Sequence, residues 1–563
     1  MPGPNAIAMT LEDLRGHIAV STTLPETLRT DLRSKLKRFA DVLGKHCSEI
    51  IADPVTVRVW AAKANWVLAG LSKNTWANIL SAVTRAMKIA GIAVHRRRRN
   101  FKLSLKWEEL LSTMNRRDKD ELHRFAGWCS PLQIAPEAVD PDTFHRYLDY
   151  LLAETIQTNP KERWHVARRA WNRAAAARED ASFPFITDVV PTGWRGLKWS
   201  DFPQTLQREL EEYRKKVLAG DIFSDDGGRS IKPITVDGYL DKLRWYLSRL
   251  LETGVALEIL SSISNCVRID LVKAGLTAHL NGRVLDDRTR PGLHGMMTAV
   301  LSVARYANVP DDQIDVLKQL ARRVRHRPNG MTVKNRERIA QFTDVRAKRS
   351  FITLPFKVAD ELMHVTQPTI REAQRMQFAA LHALLLHLPI RIKNAATLDL
   401  DKHIQRPVGK NGGRWRIHFE AAEVKNAKPI DAELNEETSA LLERYVAVFR
   451  PRLFKFPTSR FFIGQAGIPK DPGVLSKQFA SFVKRESGFA VNAHLMRHFA
   501  AFTFLGANPG QYETVRQLLG HKNIMTTVSF YAGTETKTAF ERYDQVLSKL
   551  VHGNAGFVFE DKQ

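Results

Sequence analysis

The sequence predicts a mainly α-helical chain with one small antiparallel sheet toward its C-terminal end. Three observations carry this. Apolar residues recur at helical spacing through most of the first 330 residues. A single stretch, Arg414-Trp-Arg-Ile-His-Phe419, alternates as a half-buried strand does. Gly409, Gly412 and Gly413 lead into that stretch as turn residues do. At 563 residues the chain exceeds one compact core, and two to four domains are expected.

Taken in order, Thr75 is a candidate N-cap before Trp76, Ile79, Leu80, Val83 and Met87, an apolar stripe on one helix face. Asp142 and Thr143 open a second helix, followed by a basic one carrying Lys161, Arg163, Arg168, Arg169 and Arg173. Pro184, Pro191 and Gly193 break the pattern between Ser182 and Ser200. Helix resumes through Leu206–Leu218, then behind the turn-rich Asp225–Pro233 with Val236, Leu240, Leu243, Leu247, Leu250 and Leu251, and again through Pro291–Tyr306. Two helical units result, near 50–180 and 200–325.

Beyond Phe351, helices are expected around Ala359–Thr366 and Ile370–Leu388. Gly409, Gly412 and Gly413 then lead into the alternating strand, and Glu423–Ile430 supplies its partner. Helices return at Glu436–Phe449, Val474–Glu486, His494–Leu505 and Tyr512–Leu519, with a last apolar stripe at Phe540, Tyr543, Val546, Leu547 and Leu550.

Lys and Arg number 85 against 60 acidic residues, a formal charge of +25. A folded chain this basic points to a polyanion, nucleic acid first. Arg96, Arg97, Arg98 and Arg99 form one cluster, and Arg322, Arg323, Arg325 and Arg327 another at a domain boundary. Each is a candidate phosphate contact or an ordinary solvated face. Cys47, Cys129 and Cys266 lack metal-like spacing and suit a reducing cytosol as small core residues. The first residues carry no secretory pattern, and Ala379–Ile390 is too short and too broken by His382 and His387 to span a bilayer. The expected place is the cytoplasm of a bacterium, at its nucleoid.

The chemistry concentrates in His494-Leu-Met-Arg497-His498, Leu518-Leu-Gly-His521 and Phe530-Tyr531-Ala-Gly. His494 and Arg497 are three apart and share a helix face, where a His beside an Arg can hold the non-bridging oxygens of a phosphodiester. His494 and His498 also sit four apart as zinc ligands do, but no Glu occupies the HExxH position. Upstream lie Leu388-Pro-Ile-Arg391 and Val424-Lys425-Asn-Ala-Lys-Pro-Ile430.

This ordered set resembles the tyrosine recombinase (phage integrase) family, whose pattern runs Arg, Lys, His-x-x-Arg, Gly-His, Tyr. The resemblance covers roughly residues 350–550 and implies helical N-terminal DNA-binding domains ahead of an α+β tyrosine-recombinase catalytic domain. It divides the chain into a helical region at 1–181 (a candidate further DNA-binding region), a core-binding domain at 200–325, a basic linker at 326–350, and a catalytic domain at 351–563 with a C-terminal helix.

By this resemblance, Arg391 and Arg497 grip the scissile phosphate and His494 and His521 hydrogen-bond it, His494 being also a candidate for the phenol proton. Tyr531 attacks to form a 3′-phosphotyrosyl link, and Lys425 protonates the departing 5′-oxygen. Fixed cations would then stabilise the charge without a metal, and a retained phosphodiester bond energy needs no ATP, in keeping with the lack of a GxxxxGK[ST] loop. No cofactor is expected. The partners implied are specific double-stranded DNA sites, further copies of the chain in a tetramer, and an accessory DNA-bending or directionality factor. An integrase or transposase-like recombinase of a mobile element is the leading expectation. A non-cleaving DNA-binding protein of the same fold and a type IB topoisomerase-like enzyme are the alternatives.

Two positions depart from the family. Asn394 stands three residues after the first arginine, where many members carry Glu. Phe530 occupies the ninth position after the Gly-His histidine, where many members place the tyrosine. Either a one-residue adjustment presents Tyr531, the favoured reading, or the site is impaired. Lys410 and Lys428 are rivals to Lys425 in the same strand-turn region.

Overall fold

The computed structural model describes residues 9–94, 103–177, 183–186, 196–220, 230–287, 289–326, 330–406, 413–464, 468–531 and 536–551. The chain divides into two units: Met1–Ile186 together with Asn329–Gln563, and Thr187–Pro328. The described residues are mostly helical, with one three-stranded sheet. None of the helices described is long and apolar enough to cross a membrane.

The first unit begins with helices Leu11–Ala19, Glu26–Val42, Pro54–Lys63 and Lys73–Ile89. Their apolar faces close over Leu14, Leu36, Phe39, Val83 and Met87, with Phe39 stacked on Trp76 at 5.6 Å. The fourth helix is capped three residues before the expected cap. Ser72 is the N-cap, accepting from the Thr75 backbone N–H at 3.0 Å, and Thr75 lies in the first turn.

Helices Leu105–Ser112, Arg116–Cys129, Pro141–Ala153 and Pro160–Ala176 follow, around an aromatic centre of Trp107, Phe125, Phe144 and Trp171. Each of three buried indoles finds a carbonyl: Trp107 that of Ile134, Trp164 that of Phe144, Trp171 that of Pro184. The basic helix is partly committed to the fold. Arg173 donates to Asp118 at 2.9 Å and to Glu121 at 2.5 Å, so this guanidinium is spent inside the unit.

The second unit holds helices Gln204–Ala219, Pro233–Leu251, Ile263–Cys266, Ile269–Leu280, Arg290–Tyr306 and Asp311–Arg323. Tyr246 sits at its centre, its hydroxyl donating to the Cys266 carbonyl at 2.7 Å. Its ring lies where a Cβ on Gly275 would stand, which fixes glycine there. Cys47, Cys129 and Cys266 are free and buried.

From residue 330 the first unit resumes. The stretch expected to be a basic linker, 326–350, instead carries helix Val333–Ala340 and the start of helix Val345–Glu361. Its Ile339, Phe342 and Ala347 are core residues, with Phe342 packed on Phe351 at 4.8 Å. Its exposed charges hid a buried apolar face. The helix expected at Ala359–Thr366 is therefore this longer one, ending at Glu361.

Helix Ile370–His387 forms the buried axis of this part, from Ala373 to Leu385. The sheet consists of β1 (Ile404–Gln405), β2 (Arg416–Phe419) and β3 (Ile430–Glu433), antiparallel in that order. The strand expected at Glu423–Ile430 begins only at Ile430; residues before it form a 3-10 turn, Ala421–Glu423, and a connection. Helices Glu436–Arg444, Pro472–Ser487, Ala493–Ala507, Tyr512–Leu519, Ile524–Tyr531 and Thr536–Val551 complete the chain.

Within this first unit the N-terminal helices rest on the later ones. Lys484 Nζ donates to the Ala62 carbonyl at 3.3 Å, Leu68 packs against the later core, and Asn65 stands against Gly488.

Candidate active site

Helix Ile370–His387 ends because Pro389 cannot continue it. The chain turns, and Arg391 becomes the N-cap residue of helix Ile392–Thr397, half-buried. Arg497 lies one turn into helix Ala493–Ala507, whose N-cap Asn492 accepts from the Leu495 N–H at 2.9 Å. Arg497 is buried and spans two backbone segments. Its Nη1 donates to the Pro389 carbonyl and its Nη2 to the Leu519 carbonyl, both at 2.5 Å. The one side chain thereby fixes the chain entering Arg391 and the chain entering His521. Burial first, and Arg391 next, pull its pKa to about 10, with Tyr531 acting in the opposite sense.

His521 follows Gly520, whose left-handed backbone (φ +59°) ends helix Tyr512–Leu519. Its Nδ1 pairs with the Thr527 hydroxyl at 3.0 Å. Burial, then Arg497 and Arg391, hold its pKa at about 4. His494 stands at the exposed rim, held below its ordinary range by desolvation and then by Arg497 and Arg391. Arg497, bonded to the carbonyls two residues before Arg391 and two before His521, and one turn after His494 on its own helix, ties these side chains to one neighbourhood.

Tyr531 closes helix Ile524–Tyr531 and is 1% exposed. Thr527 and Tyr531, four residues apart, share the buried face of this helix, one meeting His521 and the other His498. Phe530 lies off that face, partly buried against the core, its ring 5.9 Å from His498. The helix thus brings the hydroxyl of 531 to His498, on the helix that carries Arg497, while 530 offers that site only an apolar ring. Burial raises the phenol pKa and Arg497 opposes the rise.

His498 is the residue that the sequence reading passed over except as a zinc ligand. Its Nδ1 is 2.9 Å from the Tyr531 hydroxyl, and its ring is 5.0 Å from that of His494. The available signal was its place four residues after His494 on a helix already marked by Arg497.

The lysine connection between β2 and β3 borders a cleft of about 300 Å³ lined by Arg391, Arg497, Asn394, Asn426 and Lys428. Lys428 lines it; Lys425 is exposed and outside the lining. Asn426 donates to the Gly520 carbonyl, next to His521, and Ala427 takes a left-handed turn (φ +51°). Asn394, at the position where many family members carry Glu, is buried and donates to the Glu423 carbonyl at 3.4 Å, so its amide holds the same connection. Glu423 itself pairs with Lys402 at 2.6 Å and with the buried His403 at 3.1 Å. The Lys402 ammonium chiefly, and His403, bring its pKa to about 2.

Of the two arginine clusters, Arg322, Arg323 and Arg325 are exposed at the end of helix Asp311–Arg323, away from these residues in sequence and in the other unit. Arg96, Arg97, Arg98, Arg99, Arg327 and Lys410 lie outside the described residues.

The family model described as the phage integrase family matches residues 353–537. Among solved structures, an XerH site-specific recombinase bound to its difH substrate is 15% identical, covering 62% of this chain and 99% of that one, with a TM-score of 0.37. A Tn1549 transposon integrase in complex with circular intermediate DNA is 17% identical, covering 60% and 99%, with a TM-score of 0.33. An XerA recombinase is 15% identical over 60% of this chain and 98% of that one, at 0.24. No curated protein matches.

Proposed function

Residues 353–537 are a phage integrase family domain, and from that premise we propose that the chain is a site-specific DNA recombinase whose nucleophile is Tyr531. The observation that supports this reading is Arg497, whose guanidinium holds both the chain entering Arg391 and the chain entering His521, while its neighbour His498 meets the buried Tyr531 hydroxyl at 2.9 Å. A phosphodiester under attack gains negative charge, and preorganised guanidinium and imidazole donors are suited to stabilise it. In this reading Arg391 and Arg497 bind the non-bridging oxygens, and His494 and His521 add hydrogen bonds. Tyr531 Oη attacks phosphorus as the bond to the 5′-oxygen breaks. A lysine of the β2–β3 connection, Lys425 by its motif or Lys428 by its place at the cleft, gives that oxygen its proton. The 3′-phosphotyrosyl link then keeps the bond energy for rejoining.

Arg322, Arg323 and Arg325 are proposed to meet the DNA backbone, with Arg96–Arg99 and Arg327 as further contacts. The last helix exposes Phe540, Tyr543, Val546, Leu547 and Leu550, an apolar stripe that suits docking on another copy in a tetramer.

The test uses a pool of randomised, nicked duplexes, on which a cut near the nick releases a short product and traps the covalent link. Wild type should yield protein–DNA adducts that survive denaturation, and Tyr531→Phe none. Binding without adducts from either protein would favour a non-cleaving DNA-binding protein. Equal adducts from both would move the nucleophile elsewhere.

A further inference from the structure

We propose that His498 is the proton acceptor for Tyr531, an inference that rests on the reading of Tyr531 as the nucleophile. Three histidines surround this site, and among them the described contacts give the phenol to one. His498 Nδ1 lies 2.9 Å from Tyr531 Oη, within hydrogen-bond reach of the proton to be moved. Both side chains are buried, their rings 5.7 Å apart at 63°. His521 has its Nδ1 on the Thr527 hydroxyl. His494 stands at the exposed rim with its ring against His498, one step removed from the phenol.

The groups facing His498 are His494 and Arg497 from its own helix, His521 from the turn after helix Tyr512–Leu519, and Tyr531 from the next helix. Burial and these neighbours hold the imidazole pKa at about 4, so at neutral pH its ring is uncharged, and in the tautomer protonated at Nε2 its Nδ1 accepts from the phenol. Seating an anionic phosphodiester on the arginines adds negative charge beside it and raises its affinity for a proton.

The step balances without a co-reactant. Tyr531 Oη forms its bond to phosphorus, the phosphorus–5′-oxygen bond breaks, and the phenol proton passes to His498 Nδ1. The 5′-oxygen takes its proton from the lysine connection. In rejoining, the 5′-hydroxyl attacks, the phosphotyrosyl bond breaks, and the imidazolium returns its proton to the phenolate.

The experiment compares full-length wild type, His498→Gln and His498→Ala on a nicked duplex, each also with Tyr531 replaced by a fluorinated tyrosine whose phenol is already ionised at neutral pH. Duplex binding is followed in parallel. The amide of His498→Gln can hydrogen-bond the phenol but cannot take its proton. Adduct formation by His498→Gln should fall by about 10²–10⁴-fold with binding unchanged. Its rate should keep rising with hydroxide at pH values where the wild-type rate has levelled. The fluorinated phenol should restore most of the lost rate. A His498→Gln as fast as wild type would overturn the proposal, and so would a slow variant that the fluorinated phenol leaves slow. Wild type without adducts would instead remove the reading of Tyr531 itself.

Discussion

His382 lies wholly inside the later core, its ring 4.5 Å from Phe351 and 5.7 Å from Phe479, with neither nitrogen hydrogen-bonded. Burial lowers its pKa from 6.5 to about 3. The folded value is below the unfolded one, so the unfolded chain takes up the proton first. Its contribution to stability is intact above about pH 6.5 and declines as pH falls toward 3. His498 and His521 act in the same sense down to about 4. His382→Leu removes both the unpartnered nitrogens and the titration. It should raise the thermal midpoint at neutral pH and flatten its acid decline, followed by circular dichroism from pH 7 to 4; an unchanged decline would contradict this account. At this scale the sequence was informative where partners are local. His494 and Arg497 were legible as one helix face. The contact of His498 with Tyr531 joins residues 33 apart and was not. That the Tyr531 hydroxyl meets His498, with Phe530 off that face, depends on the orientation of a helix that spacing alone does not supply.

The β2–β3 connection is held just before its lysine segment by Asn394 on the Glu423 carbonyl, and within it by Asn426, between Lys425 and Lys428, on the Gly520 carbonyl. Asn426→Ala should therefore loosen the lysines and the His521 turn together. A duplex with sulfur in place of the bridging 5′-oxygen separates these effects, because a thiolate leaves without a proton donor. Of Lys425→Ala and Lys428→Ala, one should lose about 10²–10⁴-fold in adduct formation on the oxygen duplex and regain it on the sulfur duplex. Asn426→Ala should regain part. Rescue of neither lysine variant would remove this connection from the chemistry. The sequence placed a strand partner for Arg416–Phe419 in this region but set it several residues early. Polar turn residues and strand residues share a composition here, and register is decided by pairing with β2. Helix Val345–Glu361 was hidden for a different reason: Arg346, Lys348 and Arg349 dominate its sequence, while Ala347, Phe351 and Leu354 form the face that packs.

For the whole molecule, the proposal that the last helix docks on another copy can be tested apart from DNA binding. Removing residues 536–563 takes away the exposed stripe of Phe540, Tyr543, Leu547 and Leu550 and leaves Tyr531 and its partners in place. Binding to a single site should persist, whereas joining of two sites should be lost, both read by sedimentation of the protein with duplexes of one and two sites. Assembly that survives the truncation would show that copies meet elsewhere. The helical character of the whole chain was legible from periodicity, but its grouping was not, since the first unit brings together segments far apart in the chain. Lys484 reaches the Ala62 carbonyl across 422 positions. During synthesis at about 5–20 residues per second, the surface around Asn65 and Leu68 waits roughly 20–80 seconds for its partner to emerge. The entire second unit is made in that interval, so the ribosome finishes a complete helical bundle before the first one can close. The nascent N-terminal helices must keep Leu68 from other apolar chains throughout, a hazard of birth that the finished fold no longer displays.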